Sequence, residues 1–146
     1  MSFGLVAYNS KVNDKNLREA AVEVEALSGK ARTLAFLKQT PYRLSLVSSR
    51  QILLEQPSQE SENGGYVTLK SITTQADISF RRWGAKENDW LDFLEKRQEA
   101  TPIYWYFSPS GLCEPISIRL KEDSNWIVLH MDPLTGRVQE EESYIQ

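Results

Sequence analysis

The chain has 146 residues, of which 40% are apolar and 25% charged, and a formal net charge of −3. These are ordinary globular proportions, which exclude a globally disordered chain, and the length suits one domain. The acidic balance argues against nucleic acid as a partner, because neutralising phosphates needs a basic face.

The first element is a long amphipathic helix. Asn13, Asp14 or Asn16 can cap its free N–H groups, and Asn16 with Glu19 resembles a capping box. Leu17, Ala20, Ala21, Val24, Leu27, Ala31, Leu34 and Ala35 then recur at helical spacing. On a wheel they fill an arc of roughly 140°, which suits a helix lying on a sheet. From Asp14 to Lys38 the rod is about 37 Å long. Gly29 interrupts the pattern and marks a bend or a close approach to another backbone. Thr40-Pro41 ends the helix, since Pro cannot continue it. Ahead of the helix, Phe3 to Tyr8 is a short apolar stretch.

Strand patterns dominate the rest. Tyr42 to Ser48 alternates, with Tyr42, Leu44 and Leu46 on one face, and Gln51 to Glu55 pairs with it as a hairpin. Gln56 to Gly65 is a polar loop. Tyr66 to Lys70 and Ala76 to Arg82 alternate again, with Ala76, Ile78 and Phe80 inward. Lys86 to Arg97 reads as a short helix, from Trp90, Leu91, Phe93 and Leu94 set among charges. Pro102 to Phe107 places Ile103, Trp105 and Phe107 on one face and Tyr104 and Tyr106 on the other. Pro115 to Lys121, Trp126 to Met131 and Arg137 to Tyr144 form an antiparallel meander through tight turns. The expected division is an apolar stub and lead-in over 1–13, a helix over 14–40 and a β-rich head over 41–146. Helix and head form one α+β domain.

The catalytic inventory is thin. His130 is the single histidine, and Cys113 the single cysteine, so no intramolecular disulfide forms. Cys113, His130 and Asp132 are the residue types of a thiol nucleophile, its base and an orienting carboxylate. Their spacing does not specify such a site. The plainer reading puts Cys113 in a turn region and His130 on a strand face with Trp126 and Val128. Glu140, Glu141 and Glu142 are consecutive, and strand neighbours point to opposite faces, so they read as a solvated edge. Glu60, Glu62 and Asn63 offer ligands for weak calcium binding but lack the regular acidic spacing of a calcium loop. No phosphate-binding glycine pattern is present, and no cofactor is implied. Trp83, Trp90 and Trp105 are candidates for a ligand platform or for core packing. Trp83 and Trp90, around the expected short helix, are the candidate partner surface.

The sequence contains no run of about 18 apolar residues and no signal peptide. The helix has two readings. In one its stripe covers a sheet. In the other its N-terminal half, Val6 to Val22, projects and assembles, with Leu17, Ala20, Ala21, Val24 and Leu27 as the assembly interface.

Three stretches carry a family resemblance. Leu17-Arg18-Glu19-Ala20-Ala21 through Ala31-Arg32-Thr33-Leu34-Ala35, followed by Pro41-Tyr42-Arg43-Leu44, is the first. Tyr106-Phe107-Ser108-Pro109-Ser110-Gly111 is the second. The third is Ile116 to Leu120, then Trp126 to Leu129, then Asp132-Pro133-Leu134-Thr135-Gly136-Arg137-Val138. Together, in this order, they resemble the GspH/FimT-type minor pseudopilins of type II secretion, loosely so between Gln56 and Thr101. The resemblance implies a pilin-like fold, with a long N-terminal helix packed on antiparallel sheet and a C-terminal meander. It implies a non-catalytic structural subunit of a secretion pseudopilus, or of a type IV pilus, that assembles through its N-terminal helix. The implied partners are other pseudopilins or pilins, with an exported substrate as a further contact. The implied location is the bacterial inner membrane with a periplasmic head. Family members begin with a leader and about 20 apolar residues of membrane helix, which this sequence does not contain. The expectation is therefore a soluble fragment, with Phe3 to Tyr8 as the stub of that segment and membrane contact only through it. A soluble glycan- or peptide-binding module using exposed aromatics is the reading of another class.

Overall fold

The structure, a computed structural model, describes residues 2–58, 65–82, 90–92, 102–134 and 138–144. Helix α1 runs from Ser2 to Lys38, which at helical rise is about 55 Å. It starts at Ser2 and not at Asp14. The capping residues Asn13, Asp14 and Asn16 lie within it, because the preceding segment continues in helical conformation and leaves no free N–H groups to cap. The helix is continuous through Gly29. Its C-terminus is closed by Gln39, which takes a left-handed φ of 50°. Thr40 N–H then reaches back to the Ala35 carbonyl at 3.2 Å, the bonding pattern of a Schellman end. The Gln39 side chain caps a further carbonyl, donating to Phe36 O at 2.6 Å.

The strands are β1 (Tyr42–Ser48), β2 (Gln51–Pro57), β3 (Tyr66–Thr73), β4 (Asp77–Arg82), β5 (Leu91–Asp92), β6 (Ile103–Phe107), β7 (Ile116–Glu122), β8 (Asn125–Met131) and β9 (Val138–Tyr144). They form two antiparallel sheets, ordered β3-β2-β1-β6 and β5-β4-β7-β8-β9. The β7-β8-β9 meander has the expected order, and β7 turns into β8 at Glu122↔Asn125 with Asp123 left-handed at φ 54°.

The alternating residues behave as their period requires. Tyr42, Leu44 and Leu46 on β1 are buried, as are Ile78 and Phe80 on β4 and Ile103, Trp105 and Phe107 on β6. From β7, Ile116, Ile118 and Leu120 join them. Trp105 packs against Phe107 at 4.7 Å and meets Phe80 edge-on at 6.2 Å between ring centroids. Helix α1 lies against β1 and β6 of one sheet and β7 and β8 of the other, so it bridges the two. Each large apolar side chain so buried contributes about 1.5–3 kcal/mol.

Glu114 also joins the sheets. Its carboxylate accepts from Tyr106 N–H of β6 at 3.1 Å and from Arg82 Nε of β4 at 3.4 Å. Its carbonyl accepts from Trp105 Nε1 at 3.0 Å.

The short helix expected over 86–97 is corrected where the chain is described. Leu91 and Asp92 form a strand that pairs Phe80↔Leu91 and Ser79↔Asp92 along the open edge of β4. An unpaired strand edge outweighs a helical spacing this short. Residues 86–89 and 93–97 lie outside the described residues.

Candidate functional site

The helix is the element that the sequence marks for assembly, and its two faces have different fates. Leu17, Ala20, Val24 and Leu27 are all buried, with Ala31 and Ala35 below them, and Ala21 and Leu34 pack partly buried beside them. These side chains close the chain's own core. The residues expected as the assembly interface, Leu17, Ala20, Ala21, Val24 and Leu27, thus pack within the chain, Ala21 only in part. The opposite face is open. Val22 is 64% exposed, Phe36 56% and Leu37 68%.

At the C-terminal end of α1 the turn after β6 docks on the helix. Arg32 Nε donates to the Gly111 carbonyl at 3.1 Å, and Gln39 Nε2 to the Pro109 carbonyl at 3.3 Å. Within the turn Gly111 N–H bonds Ser108 O, and Ser108 N–H bonds Leu112 O. Gly111 has a φ of +89°, a region that other residues enter at a cost. Arg32, Thr33, Phe36, Leu37, Leu112 and Leu134 then line an open groove of about 360 Å³. Its apolar walls are substantially exposed.

Of the tryptophans, Trp105 is fully buried, so it serves the core. Trp90 is half-buried, with the guanidinium carbons of Arg81 and Arg119 at 4.6 and 4.8 Å from its ring centroid. Trp83 lies outside the described residues. The sequence did not signal a second aromatic cluster, on the outward face of β1, β2, β3 and β6. There Arg43 lies 3.7 Å from the Tyr66 ring centroid and 3.9 Å from that of Tyr104. Glu55 accepts from Arg43 Nε at 2.8 Å and also from the Ser45 hydroxyl. Burial alone would lower the Arg43 guanidinium, but its bonds to Glu55 and Tyr106 outweigh that and hold it above its usual value. Burial pushes the Tyr66 phenol up, against the pull of Arg43. The register Arg43↔Glu55 and Arg43↔Tyr106 sets this cluster, and only strand pairing reveals it.

The thiol of the thiol–imidazole–carboxylate set is not activated. Cys113 is buried beside Phe107 through an isolated bridge. Burial pushes its thiol up to about 11, Arg32 pulls it down, and Asp132 and Glu114 push it further up. An activated thiol is shifted the other way. His130 Nδ1 lies 3.0 Å from the Ser117 hydroxyl across the β7-β8 pair. Among the described residues no three His, Cys, Asp or Glu side chains group as metal ligands. Glu60, Glu62 and Asn63 lie outside the described residues. Among the described residues no helix is long and apolar enough to cross a membrane.

No sequence-family model matches the chain, and no curated protein matches it by sequence. Solved structures do match by shape. The minor pseudopilin EpsH from the type 2 secretion system of Vibrio cholerae superposes with a TM-score of 0.62 at 13% identity. The match covers 86% of this chain and 94% of that one. A second EpsH structure matches at 0.62 and 15% identity, covering 88% and 94%. The chain has the pilin-like fold. The Pseudomonas aeruginosa type IV minor pilin FimU agrees, with a TM-score of 0.58 at 13% identity, covering 89% of this chain and 91% of its own. In this pilin-like fold a single leading helix spans the junction of two antiparallel sheets, and the turn at Ser108–Gly111 locks onto the helix end.

Proposed function

We propose that this chain is a GspH/FimT-type minor pseudopilin, a structural and non-catalytic subunit of a type II secretion pseudopilus. One observation carries the reading: the single long helix laid across two antiparallel sheets matches EpsH over 94% of that chain. The chemistry is in keeping with it. The single cysteine is buried and its thiol is pushed away from ionisation, and an open groove walled by Phe36, Leu37, Leu112 and Leu134 lies along α1. In this role the protein sits at the inner membrane with its β-rich head in the periplasm. It assembles with other pseudopilins through α1 and hands force or position to an exported substrate. The likeness to FimU favours one other reading, a minor pilin of a type IV pilus.

Deletion of the gene in its source organism tests both. As a pseudopilin gene, its loss retains exported proteins in the periplasm and leaves pili intact, and the gene in trans restores export. Loss of surface pili with export intact establishes the type IV pilus reading instead. Normal export and normal pili overturn both. A glycan- or peptide-binding role would then be examined at Tyr106, which is 40% exposed.

A further inference from the structure

The last turns of α1 and the turn after β6 form a groove that the chain's own fold leaves open. Phe36 and Leu37 wall it from the helix, Leu112 from the turn and Leu134 from the segment after β8. All four are exposed, Leu134 to 74%. Scattered apolar residues are ordinary on a protein surface, but four from three separate segments meeting in one place mark an interaction site. Gly111 keeps the groove wide. A Cβ there would come within 4.0 Å of the Phe36 ring.

The cations at this groove are unmatched. Arg32 lines it. Its Nε is bonded to the Gly111 carbonyl, and among the described residues no hydrogen bond or ion pair takes up its two terminal nitrogens. On the helix Arg32 lies to one side of Phe36, Thr33 and Leu37, and the exposed Lys30 to the other. Among the described residues Lys30 has no carboxylate partner either. Between Glu25 and Glu55 the sequence contains no acidic residue, and Glu25 is two helical turns from Arg32, about 10 Å. Beyond the helix, Asp132 accepts from Leu134 N–H at 2.9 Å, and Glu114 is bonded to Arg82 and Tyr106. Lys38, in the last turn, offsets the carbonyl end of the helix. That role does not extend to Arg32 and Lys30, about two turns further in.

These features select the occupant. An apolar groove flanked by unpaired cations fits a segment that brings bulky apolar side chains together with a carboxylate. An anionic bilayer fits less well. Polybasic membrane sites gather about 4–8 basic residues, two stand here, and the apolar side chains line a concavity instead of crowning a protrusion. A free small molecule fits less well too, because such ligands are mostly enclosed by their sites and these walls are exposed.

We propose that this groove docks a short segment of a partner protein. Bulky apolar residues of the segment seat among Phe36, Leu37, Leu112 and Leu134, and a neighbouring Asp or Glu bonds the terminal nitrogens of Arg32. The inference stands on the groove alone and goes beyond the pseudopilin reading without requiring it.

A phage-displayed library of random dodecapeptides, panned on the full chain, tests it. Enriched peptides should share Leu, Phe or Trp beside Asp or Glu. In titration calorimetry Leu37→Ser/Leu134→Ser should weaken the strongest of them at least about tenfold. Both side chains are exposed, so the urea midpoint should stay unchanged. Replacing the peptide's acid by its amide should cost at least about fivefold on the wild type and nothing further on Arg32→Gln. Because Arg32→Gln also loosens the turn, Leu37→Glu gives a second check on an exposed wall. It should weaken acidic peptides more than their amide forms. Absence of enrichment, enrichment without an acidic residue, or equal binding to Leu37→Ser/Leu134→Ser would overturn the proposal. Binding to phosphatidylglycerol vesicles that Leu37→Ser/Leu134→Ser abolishes, with no peptide enriched, would give the groove to a lipid surface instead.

Discussion

The guanidinium of Arg32 on α1 and the carbonyl of Gly111, 79 positions along the chain, meet at 3.1 Å. This one bond joins two of the stretches that carry the family resemblance, the end of the helix and the turn after β6. It holds the turn where Gly111 takes its φ of +89°. Arg32→Ala removes a charge-assisted donor and should cost about 1–2 kcal/mol, read as a shift in the urea midpoint. Arg32→Lys should not restore it, since a point ammonium does not reproduce the reach and plane of Nε. Gly111→Ala should cost about 1–2 kcal/mol through backbone strain. Space is not the obstacle there, since the nearest atom to an added Cβ is on Phe36 at 4.0 Å.

Glu55 holds the Arg43 cluster together. The two side chains are only 13% and 14% exposed, and their N–O distance is 2.8 Å. Removing the carboxylate leaves a shielded guanidinium with the rings of Tyr66 and Tyr104 and its bond to Tyr106 but no countercharge from Glu55. Glu55→Ala should therefore destabilise by about 2–3 kcal/mol, less than for a fully buried pair. Arg43→Lys should cost about 1 kcal/mol, because the planar stacking between Tyr66 and Tyr104 is lost. Urea unfolding of each variant, followed by far-UV circular dichroism, measures both.

How far such features could be read in the sequence depends on contrast. Ile103, Trp105 and Phe107 alternate with Tyr104 and Tyr106, and large apolar side chains at period 2 leave little ambiguity about which face is buried. The inner helix stripe was legible for the same reason. The open face of the helix was not. Val22, Ala26 and Thr33 are small, so they blur into the polar side until the structure shows which arc is already occupied. For Leu17, Ala20, Ala21, Val24 and Leu27, a wheel shows an apolar stripe but not that the chain's own sheets cover it. Trp90-Leu91 was misread because a few apolar residues among charges fit a helix locally, while the open edge of β4 supplied a pairing partner from elsewhere. The Arg43 cluster required the register of four strands, and that information is not local.

Trp105 combines the core with the junction between the sheets. It is fully buried, and its Nε1 donates to the Glu114 carbonyl at 3.0 Å. Trp105→Ala should cost about 3–5 kcal/mol through the cavity left behind. Trp105→Phe keeps an aromatic ring against Phe107 and removes the donor. It should cost less than the Ala variant, about 2 kcal/mol, with the half-buried Glu114 carbonyl left unpaired. Calorimetric midpoints should order as wild type, Trp105→Phe, Trp105→Ala. A Phe variant as unstable as the Ala variant would show that the hydrogen bond, and not the filled volume, sets the stability of the junction.

Cys113 supplies a pH dependence whose sign follows from its burial. Its thiol ionises at about 11 in the folded chain and near about 8.5 in an unfolded one. Between these values the unfolded state has released the proton and the native state still holds it. Stability from this group is therefore complete below about pH 8.5 and falls as pH rises towards 11. The difference in urea midpoint between wild type and Cys113→Ala should shift against the wild type on going from pH 7.5 to pH 10. Reactivity reports the same shift. A rise from the ordinary 9.0 to about 11 leaves about a hundredfold less thiolate at neutral pH. Disulfide reagents should accordingly label native Cys113 at least about a hundredfold more slowly than the urea-unfolded chain. Equal rates would place the thiol at the surface and return it to consideration as a nucleophile.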